Sequence, residues 1–160
     1  MDAITIAPVT PHDIAVLDAA LRQLAADLGD PYRADAAALA AALCGPAACC
    51  FALLATHDAR PVAAVLAAPV FSTRYGGAGL FVSDLWVAKP MRGLGLARRI
   101  LAATLNEGAR RGCGRFLKLT VDHDNPDARA AYDRLGFAAS AHETNMVLIG
   151  AALETLKGTR

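Results

Sequence analysis

The most informative sequence in the chain, DLWVAKPMRGLGLA, occupies residues 84–97. It starts as an apolar strand and passes through a loop with two glycines, Gly93 and Gly95, directly into a predicted helix. The first N–H groups of a helix have no intrahelical partners, and the helix dipole adds positive potential there. Glycine lets the main chain approach an anion because it has no Cβ. The stretch is therefore a candidate binding site for a pyrophosphate, and a plain tight turn is the alternative interpretation.

Length, charge and motifs exclude several classes of protein. With 160 residues, of which 55% are hydrophobic, the chain suits a single folded domain over residues 1–160 and excludes a disordered protein. Its 16 basic and 15 acidic residues leave a net charge of +1, so no nucleic acid and no membrane surface is an expected partner. No Lys-Ser/Thr follows the glycines, which excludes a P-loop, and the lack of G-x-G-x-x-G after the first strand argues against a dinucleotide-binding fold.

The chain is expected to be cytoplasmic. Its first residues show no basic region followed by an apolar stretch, so no signal peptide is predicted. Residues 36–56 carry no charge, but Gly45-Pro46 interrupts them, which favours a helix, a turn and a strand over a membrane span. The four cysteines lack CxxC spacing and the four histidines are scattered, so we expect reduced thiols and no metal site.

Apolar periodicity predicts a mixed α/β fold. Helices are predicted at residues 11–28, 35–43, 96–111 and 126–135. Strands are predicted at residues 4–9, 49–56, 62–71, 80–87, 116–121, from 137 onwards and at 146–149. The resulting order, β-α-α-β-β-β-α-β-α-β-β, lacks the strict alternation of a doubly wound sheet and indicates an α/β (α+β) sandwich.

Two motifs in the second half of the chain resemble the GNAT superfamily of N-acetyltransferases. Residues 92–97, RGLGLA, are similar to its Arg/Gln-x-x-Gly-x-Gly/Ala signature, and residues 125–137, NPDARAAYDRLGF, are similar to its Asn-x-x-Ala-x-x-x-Tyr-x-x-x-Gly-Phe element. The resemblance implies a single-domain GNAT fold with a mixed, mostly antiparallel sheet of six to seven strands. This sheet would be splayed at an acetyl-CoA cleft and carry helices on both faces. The resemblance also implies a homodimer.

A finer resemblance points to the spermidine/spermine (diamine) N-acetyltransferase branch. It rests on residues 71–77, FSTRYGG, and residues 80–87, LFVSDLWV, where Ser83 stands in place of the glutamate typical of that branch. The implied acceptor is the primary amine of a small molecule, polyamine- or diamine-like or an amino acid, which attacks acetyl-CoA directly in a ternary complex. A protein N-terminus, an antibiotic amine, or a non-catalytic acyl-CoA-binding sensor are the alternatives.

The resemblance also implies which residues bind acetyl-CoA, the co-substrate. Backbone groups of the strand at residues 85–87 pair with the pantetheine amides, and an amide near Val87 stabilises the oxyanion. Backbone amides of residues 92–98 hold the pyrophosphate, and Asn125 caps the next helix and contacts the coenzyme. The Arg92 side chain is interpreted either as added positive charge or as an exposed loop arginine. The full predicted set is Leu85, Trp86, Val87, Arg92, Gly93, Leu94, Gly95, Leu96, Ala97, Arg98, Asn125 and Tyr132.

Asp84 and Tyr132 are the predicted catalytic residues. An alkylammonium has a pKa of about 10.4, so direct attack needs a group that takes its proton. Asp84 is the first candidate for this role, and a buried acid paired with a neighbouring arginine or with the backbone is the alternative. By resemblance, Tyr132 protonates the departing thiolate, whereas its helical spacing alone favours core packing. His123, between two aspartates, is a second candidate base, although a solvated loop is the preferred interpretation.

Ser83, Asp84 and Tyr75 are the predicted substrate-binding residues. A serine hydroxyl is no base at neutral pH, so Ser83 is expected only to position a water molecule. Tyr75 and Tyr32 are candidates for lining the acceptor pocket, and half-exposed packing is equally compatible with both. Trp86 is interpreted as a packed aromatic beside the site, since neither clustered arginines nor further aromatics surround it.

Overall fold

The computed structural model describes residues 4–158, which form two compact units that meet at residues 122 and 123. The first unit contains β1 (Thr5–Pro8), α1 (Ile14–Leu28), α2 (Ala36–Cys44), β2 (Phe51–His57), β3 (Arg60–Ser72), β4 (Gly77–Val87), α3 (Leu96–Arg110) and β5 (Leu117–Leu119). The second unit contains α4 (Pro126–Leu135) and α5 (Gly150–Lys157). A single domain over residues 1–160 stays a prediction.

The sheet of the first unit has the order β1-β2-β3-β4-β5. The first four strands pair antiparallel, and β4 pairs parallel with β5. The α/β class and the mixed, mostly antiparallel sheet are thereby confirmed. Among residues 4–158 the sheet has five strands, so the prediction of six to seven strands was too high.

The two closing strands are the part of the prediction that was wrong. Residues 138–149 form no strand, and α5 follows them. Apolar residues at 146–149 are compatible with a strand, but a strand exists only where a neighbour completes the backbone ladder. Met146 is 87% exposed and Val147 75%, so this segment has neither a ladder nor a buried face.

The uncharged run at residues 36–56 folds into a helix and a strand, as predicted. Asp35 caps α2 by accepting a hydrogen bond from the Ala38 amide at 2.8 Å, and β2 begins at Phe51. A Cβ on Gly45 would lie 2.6 Å from the carbonyl oxygen of Ala41, so only glycine fits the chain at the end of α2. Within the described residues, no helix is both long and apolar enough to span a bilayer.

Helices cover both faces of the sheet, as predicted. The face under α1 and α2 has a core formed by Ile14, Leu17, Ala20, Leu21, Leu39, Ala52, Leu54, Ala64 and Trp86. On the opposite face α3 packs against β2, β3 and β4. There α3 approaches β4 so closely that a Cβ on Gly108 would lie 2.5 Å from Leu80 Cδ1.

A β-bulge at Ser83 decides which way the second half of β4 faces. Leu66 lies opposite Asp84, but the next residue of β3, Ala67, lies opposite Val82, so Ser83 is an extra residue in β4. Side chains alternate along a strand, and one extra residue reverses the alternation. Val82 therefore shares the α3 face, whereas Asp84 and Trp86 lie on the face under α1 and α2.

Candidate active site

One edge of β4 is left open at its carboxyl end. β5 pairs only with residues 80–82 of β4, whereas β4 continues to Val87 without a second partner strand among the described residues. Adjacent strands that separate in this way expose backbone groups able to pair with an extended ligand. The predicted splay of the sheet is therefore present in the first unit.

Only part of the predicted strand faces that open edge. The Ala88 amide donates to the carbonyl oxygen of Val62 at 2.9 Å, so Ala88 points towards β3. Because backbone groups alternate in an antiparallel pair, those of Trp86 also point towards β3. The backbone groups of Leu85 and Val87 point to the open edge. The geometry thus favours two of the three residues predicted to pair with pantetheine.

The loop before α3 has the geometry expected of an anion site. Gly93 and Gly95 adopt φ angles of 76° and 78°, which side chains other than glycine rarely tolerate. The first bond of α3 runs from the Arg99 amide to the carbonyl oxygen of Gly95. No backbone carbonyl of residues 4–158 accepts from the amides of residues 93–98. These six amides are available to a ligand.

The side chains of this loop are arranged around the free amides. Leu96 is 2% exposed and fixes the first turn of α3 in the core, whereas Leu94 is 69% exposed. Ala97 is half-buried and Arg98 is exposed. The Arg92 amide differs from the amides that follow it, because it donates to the carbonyl oxygen of Lys89 at 3.3 Å.

The Arg92 side chain is bound within the protein. Its Nε donates to the carbonyl oxygen of Val87 at 2.9 Å, and its Nη2 lies 2.6 Å from Asp27 Oδ2. Arg92 therefore joins α1, the end of β4 and the loop. Sequence reasoning missed Asp27 because it lies 65 residues away, and a lone aspartate in a helix carries no signal of its partner.

Asp84 lies next to the bulge and is held by its neighbour. Ser83 Oγ lies 2.7 Å from Asp84 Oδ2 and 3.4 Å from the carbonyl oxygen of Leu66. A hydroxyl has one proton, so the shorter contact is the hydrogen bond. No arginine or lysine is seen to pair with Asp84 among the described residues, which argues against the arginine-paired form of the alternative interpretation.

Tyr32 and two charged residues of α1 face the same region as Asp84. The Asp18 carboxylate accepts two hydrogen bonds, from the Tyr32 hydroxyl to Oδ1 at 2.8 Å and from Arg22 Nε to Oδ2 at 2.7 Å. The Arg22 guanidinium also lies over the Tyr32 ring, 4.5 Å from its centre. Burial, the Asp18 hydrogen bond and nearby negative charge, including that of Asp84, raise the pKa of Tyr32 to about 12. The i,i+4 spacing of Asp18 and Arg22 was the available sequence signal for this network.

The Trp86 side chain belongs to the core. It is 7% exposed and packs with the α1 and α2 core residues. Its Nε1 has no hydrogen-bond partner among residues 4–158. This agrees with the interpretation of Trp86 as a packed aromatic.

The second unit contains the other predicted residues. The Asn125 side chain caps α4 by accepting from the Ala128 amide at 3.1 Å, which confirms the predicted cap. Tyr132 is half-buried, and its ring stands edge-on to Phe137 with 5.5 Å between ring centres. Burial raises the pKa of Tyr132, so its hydroxyl keeps its proton at neutral pH. His123 is exposed in a turn.

Tyr75 lies apart from Asp84. It occupies the turn between β3 and β4, where its ring packs 4.7 Å from Phe116 and its carbonyl accepts from Arg115 Nε at 3.2 Å. At about 3.3 Å per residue, the strand from Gly77 to Asp84 spans roughly 23 Å. The structure therefore does not bring Tyr75 to Asp84.

Among the described residues, no cluster of three or more His, Cys, Asp or Glu is arranged to hold a metal ion.

Comparison with known proteins identifies the class of protein. The sequence profile of the acetyltransferase (GNAT) family matches residues 16–137. This is most of the chain, and the chain therefore belongs to the GNAT acetyltransferase family. Acetyltransferase Atu2258 from Agrobacterium fabrum (strain C58) is 41% identical over 58 residues, which are 36% of this chain. The matched segment spans only 40% of that relative's length.

Solved structures share the fold. Ribosomal-protein-alanine N-acetyltransferase from Brucella melitensis biovar Abortus 2308 superposes with a TM-score of 0.71 and 24% identity, over 92% of this chain and 100% of that chain. Aminoglycoside N-acetyltransferase AAC(6')-Iy, in complex with CoA, superposes with a TM-score of 0.72 and 18% identity, over 94% and 95% of the two chains. At these identities the likeness is one of fold.

Proposed function

We propose that the chain transfers the acetyl group of acetyl-CoA to a primary amine of a small molecule by direct attack in a ternary complex. One observation carries the proposal: the open edge of β4 and the amide-lined loop lie at the same end of the same strand. A ligand with amides next to a diphosphate matches both features. The GNAT family uses acetyl-CoA, and the residues present fit that co-substrate.

The backbone of this chain supplies the proposed binding groups. Leu85 pairs with the pantetheine amides along the open edge, and the six amides of residues 93–98 hold the diphosphate. The Val87 carbonyl already accepts from Arg92 Nε, so its N–H is the group left to stabilise the oxyanion.

Asp84 and Tyr132 move the protons in the proposed reaction. The amine nitrogen forms a bond to the acetyl carbon and the carbon–sulfur bond breaks. Asp84 takes the proton of the amine, directly or through water, while Ser83 orients its carboxylate. Tyr132 gives its proton to the departing thiolate. It enters the proposal through its position in the motif at residues 125–137.

The acceptor is proposed from the charges around Asp84. Asp84 and Asp18 are acidic groups next to Tyr32, and among residues 4–158 the salt bridge of Arg22 is made with Asp18 and not with Asp84. This leaves the Asp84 carboxylate available to a cationic amine. We therefore favour a polyamine, a diamine or an amino acid. The fold is shared with an aminoglycoside acetyltransferase and a ribosomal-protein acetyltransferase, and their acceptors are the second candidates. The spermidine/spermine branch, the homodimer and the cytoplasmic location stay predictions.

Thiol release from acetyl-CoA with a panel of amines tests the proposed function. The panel contains putrescine, spermidine, lysine, thialysine, an aminoglycoside and a peptide with an N-terminal alanine. We expect amine-dependent release with one of the first four. Thiol release with only the aminoglycoside or the peptide would show that the acceptor belongs to that class and not to the one proposed. Saturable CoA binding without any amine-dependent thiol would instead favour a sensor, and no CoA binding would overturn the proposal.

Gly95→Val is expected to weaken CoA binding about 5- to 150-fold, because a β-branched residue at positive φ costs about 1–3 kcal/mol and displaces the amides. Titration calorimetry with CoA measures the change. Gly112 ends the same helix with a φ of 77° and, like Gly95, has open space around its would-be Cβ. Gly112→Val is thus a matched control, for which we expect similar backbone strain but an unchanged affinity for CoA. Equal loss of affinity in both variants would contradict the site.

A further inference from the structure

The Asp27 carboxylate is the centre of a charged cluster at the end of α1. Lys89 Nζ lies 3.3 Å from its Oδ1 and Arg92 Nη2 lies 2.6 Å from its Oδ2. Gln23 Nε2 also donates to Oδ1, at 3.0 Å. The Asp27 side chain is only 8% exposed. Burial acts to raise the pKa of Asp27, but the hydrogen bonds from Gln23, Arg92 and Lys89 outweigh it and lower that pKa. Asp27 is therefore a shielded anion with three donors.

Both cations of this cluster come from the segment between β4 and α3. Lys89 and Arg92 lie at the two ends of a short turn, in which the Arg92 amide donates to the Lys89 carbonyl. The Arg92 guanidinium also binds the last residue of β4, Val87. Asp27 thus ties α1 to the chain immediately before the free amides of residues 93–98.

We infer that Asp27 is a positioning residue, which through Arg92 and Lys89 holds the loop in the conformation that presents its amides to the diphosphate. The inference rests on the proposed function. It assigns Arg92 to the protein rather than to the ligand, because the charge that would meet a phosphate is already paired with Asp27. Asp27 itself touches neither substrate nor reacting atom.

The two roles of Arg92 predict opposite effects of Asp27→Asn, which keeps the shape of the side chain and removes its charge. If Asp27 positions the loop, CoA binds about 5- to 30-fold more weakly, the change expected for one to two kcal/mol. If Arg92 is instead a phosphate ligand restrained by Asp27, the freed guanidinium tightens binding. Weaker binding supports the inference, and tighter or unchanged binding overturns it.

Steady-state kinetics separate positioning from a general loss of structure. We expect the KM for acetyl-CoA to rise while kcat at saturating acetyl-CoA is retained, since binding is lost equally in ground and transition states. Adding Arg92→Gln to Asp27→Asn should weaken CoA binding little further, because one residue acts through the other. Multiplicative losses would show independent roles and contradict the inference.

Glu107→Gln is the matched control. Glu107 is another shielded carboxylate, 13% exposed, that accepts from two guanidinium groups, but both belong to its own helix end. It lies about 17 Å from the start of α3, at 1.5 Å per residue. We expect its loss to leave the affinity for CoA unchanged.

Hydrogen exchange of the ligand-free protein tests the inference without CoA. In Asp27→Asn the hydrogen-bonded amides on either side of the free ones, those of Met91, Arg92 and Arg99, should exchange faster than in the parent, whereas in Glu107→Gln they should not. Unchanged exchange in Asp27→Asn would overturn the positioning role and leave the proposed function intact. If Asp27→Asn shows the faster exchange but the parent binds no CoA, the proposed function is overturned and the positioning role remains.

Discussion

Replacing Tyr132 with phenylalanine is expected to lower turnover by about 10²–10⁴-fold, the usual contribution of a general acid. The affinity for CoA should change little. The phenol is the group proposed to protonate the thiolate, and burial raises its pKa, so the proton is present at neutral pH. Phenylalanine keeps the ring that stands against Phe137. The measurements are kcat from thiol release and the Kd of CoA from calorimetry.

The control for Tyr132→Phe is Tyr75→Phe. Tyr75→Phe removes the same hydroxyl, but in a turn that the structure places far along β4 from Asp84. We expect the kcat of this variant to equal that of the parent. An unchanged kcat in Tyr132→Phe would remove Tyr132 from the mechanism. An equal fall in kcat and CoA affinity would show that its role is packing, as its helical spacing alone suggested.

Asp84→Asn is expected to lower kcat/KM for the amine by about 10²–10⁴-fold at neutral pH, because asparagine has the same shape but takes no proton. Without the carboxylate, the reaction depends on amine that is already neutral. The residual rate should therefore rise about tenfold per pH unit until the pH reaches the pKa of the amine, about 10.4. The pH dependence of kcat/KM for parent and variant checks this result.

Asp58→Asn is the matched control for Asp84→Asn. Asp58 lies in the turn between β2 and β3 at a φ of 50°, a conformation that asparagine also adopts readily. We expect Asp58→Asn to have the same kcat/KM for the amine, and the same pH dependence, as the parent. If Asp84→Asn showed the parent's rate and pH profile, Asp84 would not be the base, and water or another side chain would have to take the proton. Ser83→Ala should cause a smaller loss than Asp84→Asn, since it removes only a hydrogen bond to the carboxylate.

Much of the fold was predictable because its signals are local. The apolar spacing of α1, the cap at Asn125 and the glycines before α3 each depend on residues within a few positions of one another. Local signals also indicated the loop at residues 92–98 as a candidate anion site, since the free amides of a helix start follow from helix geometry alone. The family match at residues 16–137 agrees with the motifs from which the resemblance was inferred.

The features that define the site depended on partners distant in the chain. Ser83 and Asp84 looked like an interruption of an apolar strand, but pairing with β3 makes Ser83 a bulge and turns Asp84 towards α1. The Arg92 side chain was interpreted as loop charge, and Asp27 of α1 makes it part of the protein framework. The expected strand at residues 146–149 failed for the same reason, because apolar residues form a strand only beside a neighbour.

The amino-acid sequence by itself determined the order of helices and strands as far as residue 135, the helix ends there and the free amides of the loop, because short-range sterics and hydrogen bonding decide these features. Only the tertiary structure decided which backbone groups of β4 face the open edge, which face Asp84 occupies and what Arg92 binds. Those outcomes depend on strand register and on ion pairs between segments tens of residues apart. No local pattern specifies such pairings, since they form only when the whole sheet and its helices pack together.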